Sequence, residues 1–173
     1  LAELAFQPDR ARELLAKALA PDPLGQGTYV REDVLLQSAR LERDLRENPQ
    51  MAAANYAEAI ALFSGKNDRQ SEVITRLEYA HFLTAQAAKI PDAMNLATHE
   101  LGTAATLASA LQLAEAQWRV DYEKGSVARL QGQSDVAMEC YKKAVAGLEK
   151  LRAGVSQSAD RKSTRLNSSH ANV

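Results

Sequence analysis

The chain has 173 residues and a formal charge of −1, with 46% hydrophobic, 25% charged and only 5% aromatic residues. That balance excludes a disordered chain and leaves room for one cored domain or several units of a repeat array. No apolar run approaches the roughly 18 residues of a membrane span, and the start lacks the make-up of a secretory signal. Cys140 stands alone, which rules out an internal disulfide. Alanine is the commonest residue, and small side chains of high helix propensity point to closely packed helices rather than a β-sandwich.

The segment "PDRARELLAKALAPDP" reads as a short helix that starts after Pro8 and is stopped by Pro21 and Pro23. "LGQGT" follows as a connector, and residues 21–30 are expected to lack regular structure. From Arg31 to about Glu47, Val34, Leu35, Ser38, Leu41 and Leu45 fall on one helical face, and Asn48-Pro49 breaks it. A second helix from Gln50 to Ser64 carries Ala52, Tyr56, Ala59, Ile60 and Phe63, with Gly65 as its terminator. Ser71 then caps a helix reaching Lys89, with Ile74, Leu77, Ala80, Thr84 and Ala87 inward. Pro91-Asp92 opens the next, whose inward set is Ala93, Leu96, Ala97, Leu101, Ala104, Ala108 and Leu111. The last pair is broken at "QGQSD"; one helix carries Ala114, Trp118, Asp121, Gly125 and Ala128, the other Ala137, Tyr141, Ala144 and Leu148. No segment shows the period-two alternation of a strand. The expected fold is all-α: an opening helix in residues 1–20 and three helical hairpins at 31–65, 69–110 and 112–152.

The stretch "WRVDYEKGSVARLQGQSDVAMECYKKAV", residues 118–145, resembles a tetratricopeptide repeat. Gly125 and Ala128 are small where the family's two helices touch, Gly132 sits in the turn, and Ala137, Tyr141 and Ala144 give its small-aromatic-small second helix. Ala59 with Phe63 repeats that second-helix signature, and Ala93 lies 34 residues after Ala59, the family's period. Two positions depart from it: Ala97 stands where an aromatic is expected, and Asp121 where an apolar residue is. The resemblance implies an α-solenoid, with the opening helix left over from a preceding repeat.

Motifs for catalysis and metal binding fail at specific positions. "HELGT" begins like a zinc-protease helix, but Thr103 stands where the second histidine would be, one turn after His99. His81, on a neighbouring helix, could meet His99, yet two histidines without a third ligand make no metal site. "FSGKND" lacks the opening glycine of a phosphate loop (Ile60 is there) and has Asn67 for the magnesium-binding hydroxyl, leaving Lys66 a solvated charge. Cys140 has no histidine nearby and reads as packing. "RLERDLRE", residues 40–47, reads as an exposed helix face with near-neighbour ion pairs. No basic patch interleaved with aromatics points to nucleic acid. No enzyme, cofactor or metal is expected.

The ending is of another kind. Asp160 to His170, "DRKSTRLNSSH", looks like a widely used short-read sequencing adapter translated codon by codon, so residues 160–173 are expected to be a non-native, disordered tail after a linker at 153–159. Without those three basic residues and one acidic residue the formal charge falls from −1 to −3. The chain then reads as a piece of a longer protein, self-associating through uncapped ends.

By the tetratricopeptide resemblance, the first helix of each hairpin lines a concave surface that holds a peptide or domain of a protein partner. Arg119, Tyr122, Ser126 and Arg129 would face it, with Thr75, Glu78 and Phe82 as their counterparts one hairpin earlier. Tyr122 and Ser126 occupy the places of the Lys-and-Asn pair with which some members clamp a terminal carboxylate. "YKKAVAGLEKLRAGV" is in addition similar to the last repeat before a CHAT (caspase-like) domain of bacterial proteins, through Leu148-Glu149-Lys150-Leu151-Arg152. That implies either a free scaffold or the regulatory arm of a cysteine protease whose catalytic residues lie elsewhere, with Cys140 not the nucleophile. The cytoplasm is the expected location.

Overall fold

The computed structural model describes residues 7–20 and 30–170, with 155–170 described by backbone alone. Among these residues there are seven helices and no strand: α1 Pro8–Leu19, α2 Arg31–Leu45, α3 Pro49–Gly65, α4 Arg69–Ala85, α5 Ala93–Ala110, α6 Ala114–Leu130 and α7 Ser134–His170. The all-α expectation holds. Most of the expected connector at 21–30 lies outside the described residues.

Each helix packs on the next, and α4 packs on α6 as well. The short junctions follow one backbone rule. Between α2 and α7 every junction holds one residue in the left-handed region: Arg46, Asn67, Asp92, Gln112 and Gly132, with φ between 55° and 77°. Asn and Asp tolerate that region and glycine enters it freely, whereas Arg46 and Gln112 carry a Cβ penalty. Gly65, expected to end its helix in this way, is instead the last helical residue of α3, and Asn67 makes the turn. Gln112→Gly is therefore expected to raise the unfolding free energy by about 1 kcal/mol, measured by urea denaturation.

The caps differ in detail from expectation. The Asn48 side chain accepts from the Met51 amide at 3.0 Å and starts α3. Asp68, rather than Ser71, caps α4, its carboxylate accepting from the Ser71 amide at 3.1 Å. The helix stops at Ala85, four residues short of Lys89, and tight turns lead into Ile90, which is buried. At the other end, α7 runs through residues 153–170, where a linker and a disordered tail are expected. The segment after Gly154 contains no proline or glycine, so nothing in it breaks the hydrogen-bond ladder.

Alanine explains how close the helices lie. Ala39, Ala52, Ala59, Ala80, Ala97, Ala104 and Ala108 are all completely buried, and they span α2 to α5. Aromatic rings fill what remains: Tyr56 of α3 stacks on Tyr79 of α4 at 5.5 Å and meets Phe82 at 5.7 Å. Burial pushes the Tyr56 phenol up, and its hydroxyl accepts from Arg43. In the last hairpin a Cβ on Gly125 would come within 2.6 Å of the Tyr141 ring, and one on Gly147 within 2.9 Å of the Trp118 Cβ. These two glycines set the α6–α7 distance. Gly125 lies at the contact between the two helices, as the sequence suggested, and the ring it faces there is Tyr141.

The 34-residue recurrence does not mark equivalent places. Ala59 lies deep within α3, whereas Ala93 opens α5. The first helices of the hairpins start at 31, 69 and 114 and the second at 49, 93 and 134, so the units are longer than 34 residues.

Four carboxylates are buried between helices: Glu32, Glu42, Glu72 and Glu100. Each has a cationic partner. Lys66 reaches Glu32 at 2.7 Å, so it is not a free solvated charge. Arg12 of α1 holds Glu42 at 2.7 Å and Glu47 at 2.6 Å. Glu72 lies 2.7 Å from Arg69 and 2.9 Å from Arg76, and Arg76 also bonds Glu100 of α5. Buried carboxylates demand this, because an unpaired one costs several kcal/mol.

Candidate functional site

The first helices of the three hairpins, α2, α4 and α6, are tied to one another by side chains. Arg40 of α2 grips Glu78 of α4 with two hydrogen bonds, at 2.5 and 2.8 Å. His81 of α4 meets Glu123 of α6, Nδ1 to Oε1, at 3.0 Å. The "RLERDLRE" run is thus no simple solvated face: Arg40 crosses to α4, Glu42 is buried against α1, and only Arg43–Asp44 is a neighbour pair.

A cleft of about 500 Å³ opens between the C-terminal ends of α2 and α4, lined by Arg43, Asp44, Arg46, His81, Ala85 and Gln86, with Phe82 at its base. Arg43 is held by Asp44 at 2.7 Å and lies 3.7 Å from Glu78. Arg46, the left-handed cap of α2, is exposed. The His81 side chain is also well exposed, and its Nε2 is outside the Glu123 bond. The Glu123 hydrogen bond pushes the His81 pKa up, desolvation and the positive charges of Arg43 and Arg119 opposing. Glu123 Oε2 is buried without a hydrogen-bond partner among the described residues.

A raised histidine pKa means that the His81–Glu123 contribution is complete below the ordinary histidine pKa of about 6.5 and is lost as pH rises through the raised value. In an NMR titration His81 is expected to titrate above about 6.5, and Glu123→Gln is expected to bring it down. A His81 midpoint that ignores the Glu123 substitution would contradict the geometry.

The expected site residues divide. On α6, Tyr122 and Arg129 are exposed and Arg119 and Ser126 half-buried, spaced to share one stripe. Tyr122 lies 5.6 Å from the Tyr141 ring, and the Ser126 hydroxyl donates to the Tyr122 carbonyl at 3.3 Å. On α4 the exposed stripe is Ile74, His81 and Ala85, with half-buried Glu78 between. Thr75 and Phe82 are respectively 1% and 2% exposed: Thr75 is turned into the packing, and Phe82 is a core residue that reaches the surface only in the lining of the α2–α4 cleft. Each sits one residue, about 100° of helix, beyond Ile74 and His81, on the side packed into the core. Thr75 spends its hydroxyl on the Ser71 carbonyl, and Phe82 packs on Tyr56. The sequence pairing sets the counterparts 44 residues apart, as Thr75 is from Arg119, whereas α4 and α6 start 45 residues apart, at Arg69 and Ala114, which pairs Arg119 with Ile74 and Ser126 with His81. Arg40, Arg43, Arg46, His81 and Glu123 were missed; the available signal was the i, i+3, i+4 stripe Ile74-Glu78-His81-Ala85, masked by an apolar residue at its head.

A second cleft of about 590 Å³ lies between α1, α2 and α3. Its polar groups are taken up with one another: Arg12 with Glu42 and Glu47, and the Asn55 amide with the Ser38 hydroxyl at 2.9 Å. His99 lies beside its neighbour Glu100 at 3.4 Å, on a different helix from His81. Among the described residues no group of three or more His, Cys, Asp or Glu is placed to hold a metal ion. Cys140 is half-buried. No helix among the described residues is long and apolar enough to cross a membrane.

No family model matches this chain, and no curated protein or solved structure matches it either.

Proposed function

We propose that this chain is a non-catalytic interaction scaffold, a helical-hairpin array in the manner of tetratricopeptide repeats, that holds a segment of a protein partner along α2, α4 and α6. The observation that carries this reading is the cleft between α2 and α4 on a face that α6 extends. A core residue, Phe82, forms its base, while Arg46, His81, Tyr122 and Arg129 stay accessible around and beyond it. Aromatic and arginine side chains on a rigid support are the types that anchor interfaces. The committed polar groups of the α1–α3 cleft make it the poorer candidate.

The test is selection of peptides from a random displayed library on the whole chain, followed by titration of the best peptide against variants. Tyr122→Ala and Arg119→Ala are expected to weaken it at least about tenfold, with circular dichroism unchanged. Failure to select any peptide, or affinities indifferent to both substitutions, would remove the reading. The protease-arm alternative uses the same face and adds the requirement that a catalytic domain share the reading frame.

A further inference from the structure

The charges on this face specify a partner more narrowly than the scaffold reading on which the inference rests. Most acidic groups here are internally consumed: Glu78 by Arg40, Asp44 by Arg43 and Glu123 by His81. Three guanidinium groups are not: the side chains of Arg46, Arg119 and, further along α6, Arg129 make no hydrogen bond or salt bridge among the described residues. Arg43 and Arg46 line the cleft with His81, and Arg119 lies one helical turn before Glu123, the α6 residue that meets His81, so cations from α2 and α6 flank that ring. The acids of the other neighbouring helices are engaged elsewhere, Glu58 of α3 with Arg31 and Glu100 of α5 with Arg76.

His81 adds a condition. Its Nδ1 lies on Glu123, while its Nε2 is outside that bond on a well-exposed side chain. With the proton on Nδ1 alone, Nε2 is an acceptor and repels a carboxylate; in the protonated ring Nε2–H is a donor and attracts one. We propose that the α2–α4–α6 face takes an acidic peptide segment, rich in Asp or Glu, whose carboxylates bridge Arg46, His81 and Arg119 and which binds more tightly when His81 is protonated. The whole chain is slightly acidic, so this cationic mouth runs against its net charge and guides such a segment to one place.

The probe is a fluorescein-labelled peptide of Glu, Asp and Leu, compared with its Gln, Asn and Leu counterpart by fluorescence anisotropy on the whole chain. The acidic peptide is expected to bind at least about tenfold more tightly than the neutral one in low salt, and to weaken as salt rises. Arg46→Gln and Arg119→Gln are each expected to weaken it several-fold. Binding is expected to tighten several-fold from about pH 8.5 to about pH 6, and His81→Gln to abolish that dependence. Equal affinity for both peptides, sensitive to Tyr122→Ala, overturns the acidic specificity and leaves the scaffold standing. If neither peptide binds and library selection also yields none, both fall. Acidic binding that ignores Arg46, Arg119 and His81 places the anion elsewhere and overturns the proposal.

Discussion

Arg76→Met is expected to lower the unfolding free energy by about 3–5 kcal/mol, the range for removing one partner from a buried charge network. Arg76 is the shared cation of two carboxylates, Glu72 on its own helix and Glu100 on α5, and all three side chains are at most 13% exposed. Substitution leaves Glu100 without its ion-pair partner across the α4–α5 contact, while Glu72 keeps Arg69. Adding Glu100→Gln to Arg76→Met is expected to recover part of the loss, because the orphaned charge is then gone. Arg10→Met removes only the exposed Glu13 pair and is expected to change stability by less than about 1 kcal/mol. Urea denaturation of the four proteins at constant m-value checks this. A loss below about 1 kcal/mol for Arg76→Met would mean that the network is not held as described.

Phe82→Ala is expected to cost about 3–5 kcal/mol, the range for emptying a core phenylalanine site. Phe82 is 2% exposed and joined to Tyr56, itself fully buried, so truncation opens a cavity between α3 and α4. Phe82→Leu is expected to cost less, since most of the volume is kept. The contrast with Tyr122 separates core from surface. Tyr122 is 48% exposed, and Tyr122→Ala is expected to change stability little while weakening peptide binding. Thermal and urea denaturation of Phe82→Ala, Phe82→Leu and Tyr122→Ala distinguish the roles. A stable Phe82→Ala with impaired binding would return Phe82 to the surface of the groove.

That contrast shows where sequence patterning carries and where it fails. The α3 stripe Ala52, Tyr56, Ala59, Ile60 and Phe63 is buried throughout, because α3 packs through one dominant face. α4 packs on α3, α5 and α6, and ties to α2 through Arg40. Its buried set of Val73, Thr75, Leu77, Tyr79, Phe82 and Leu83 wraps most of the helix, and an apolar Ile74 on the outside disguises the exposed strip. Periodicity finds one stripe and cannot phase a helix with several buried faces. The candidate site suffers from the same cause. Its α6 residues were legible since that stripe is polar and ends the stack of first helices described. The α4 residues were transferred with a shift that rotated two of them into the core.

The buried carboxylates lay beyond pattern reading for another reason. Glu32, Glu42, Glu72 and Glu100 look like ordinary helix-surface acids in one dimension. Their partners Lys66, Arg12 and Arg76 sit 34, 30, 4 and 24 residues away. Only Glu72 has partners at the helical spacings that a sequence can flag, Arg76 at i, i+4 and Arg69 at i, i+3. The others depend on which helix lies beside which.

The measurement that bears most directly on the central claim is amide chemical-shift mapping of the whole chain during titration with a library-selected peptide. Changes concentrated on α2, α4 and α6, around Arg46, His81, Arg119 and Tyr122, are the predicted result. Changes concentrated on α3, α5 or α7, or on the α1–α3 cleft around Leu19 and Met51, would contradict it.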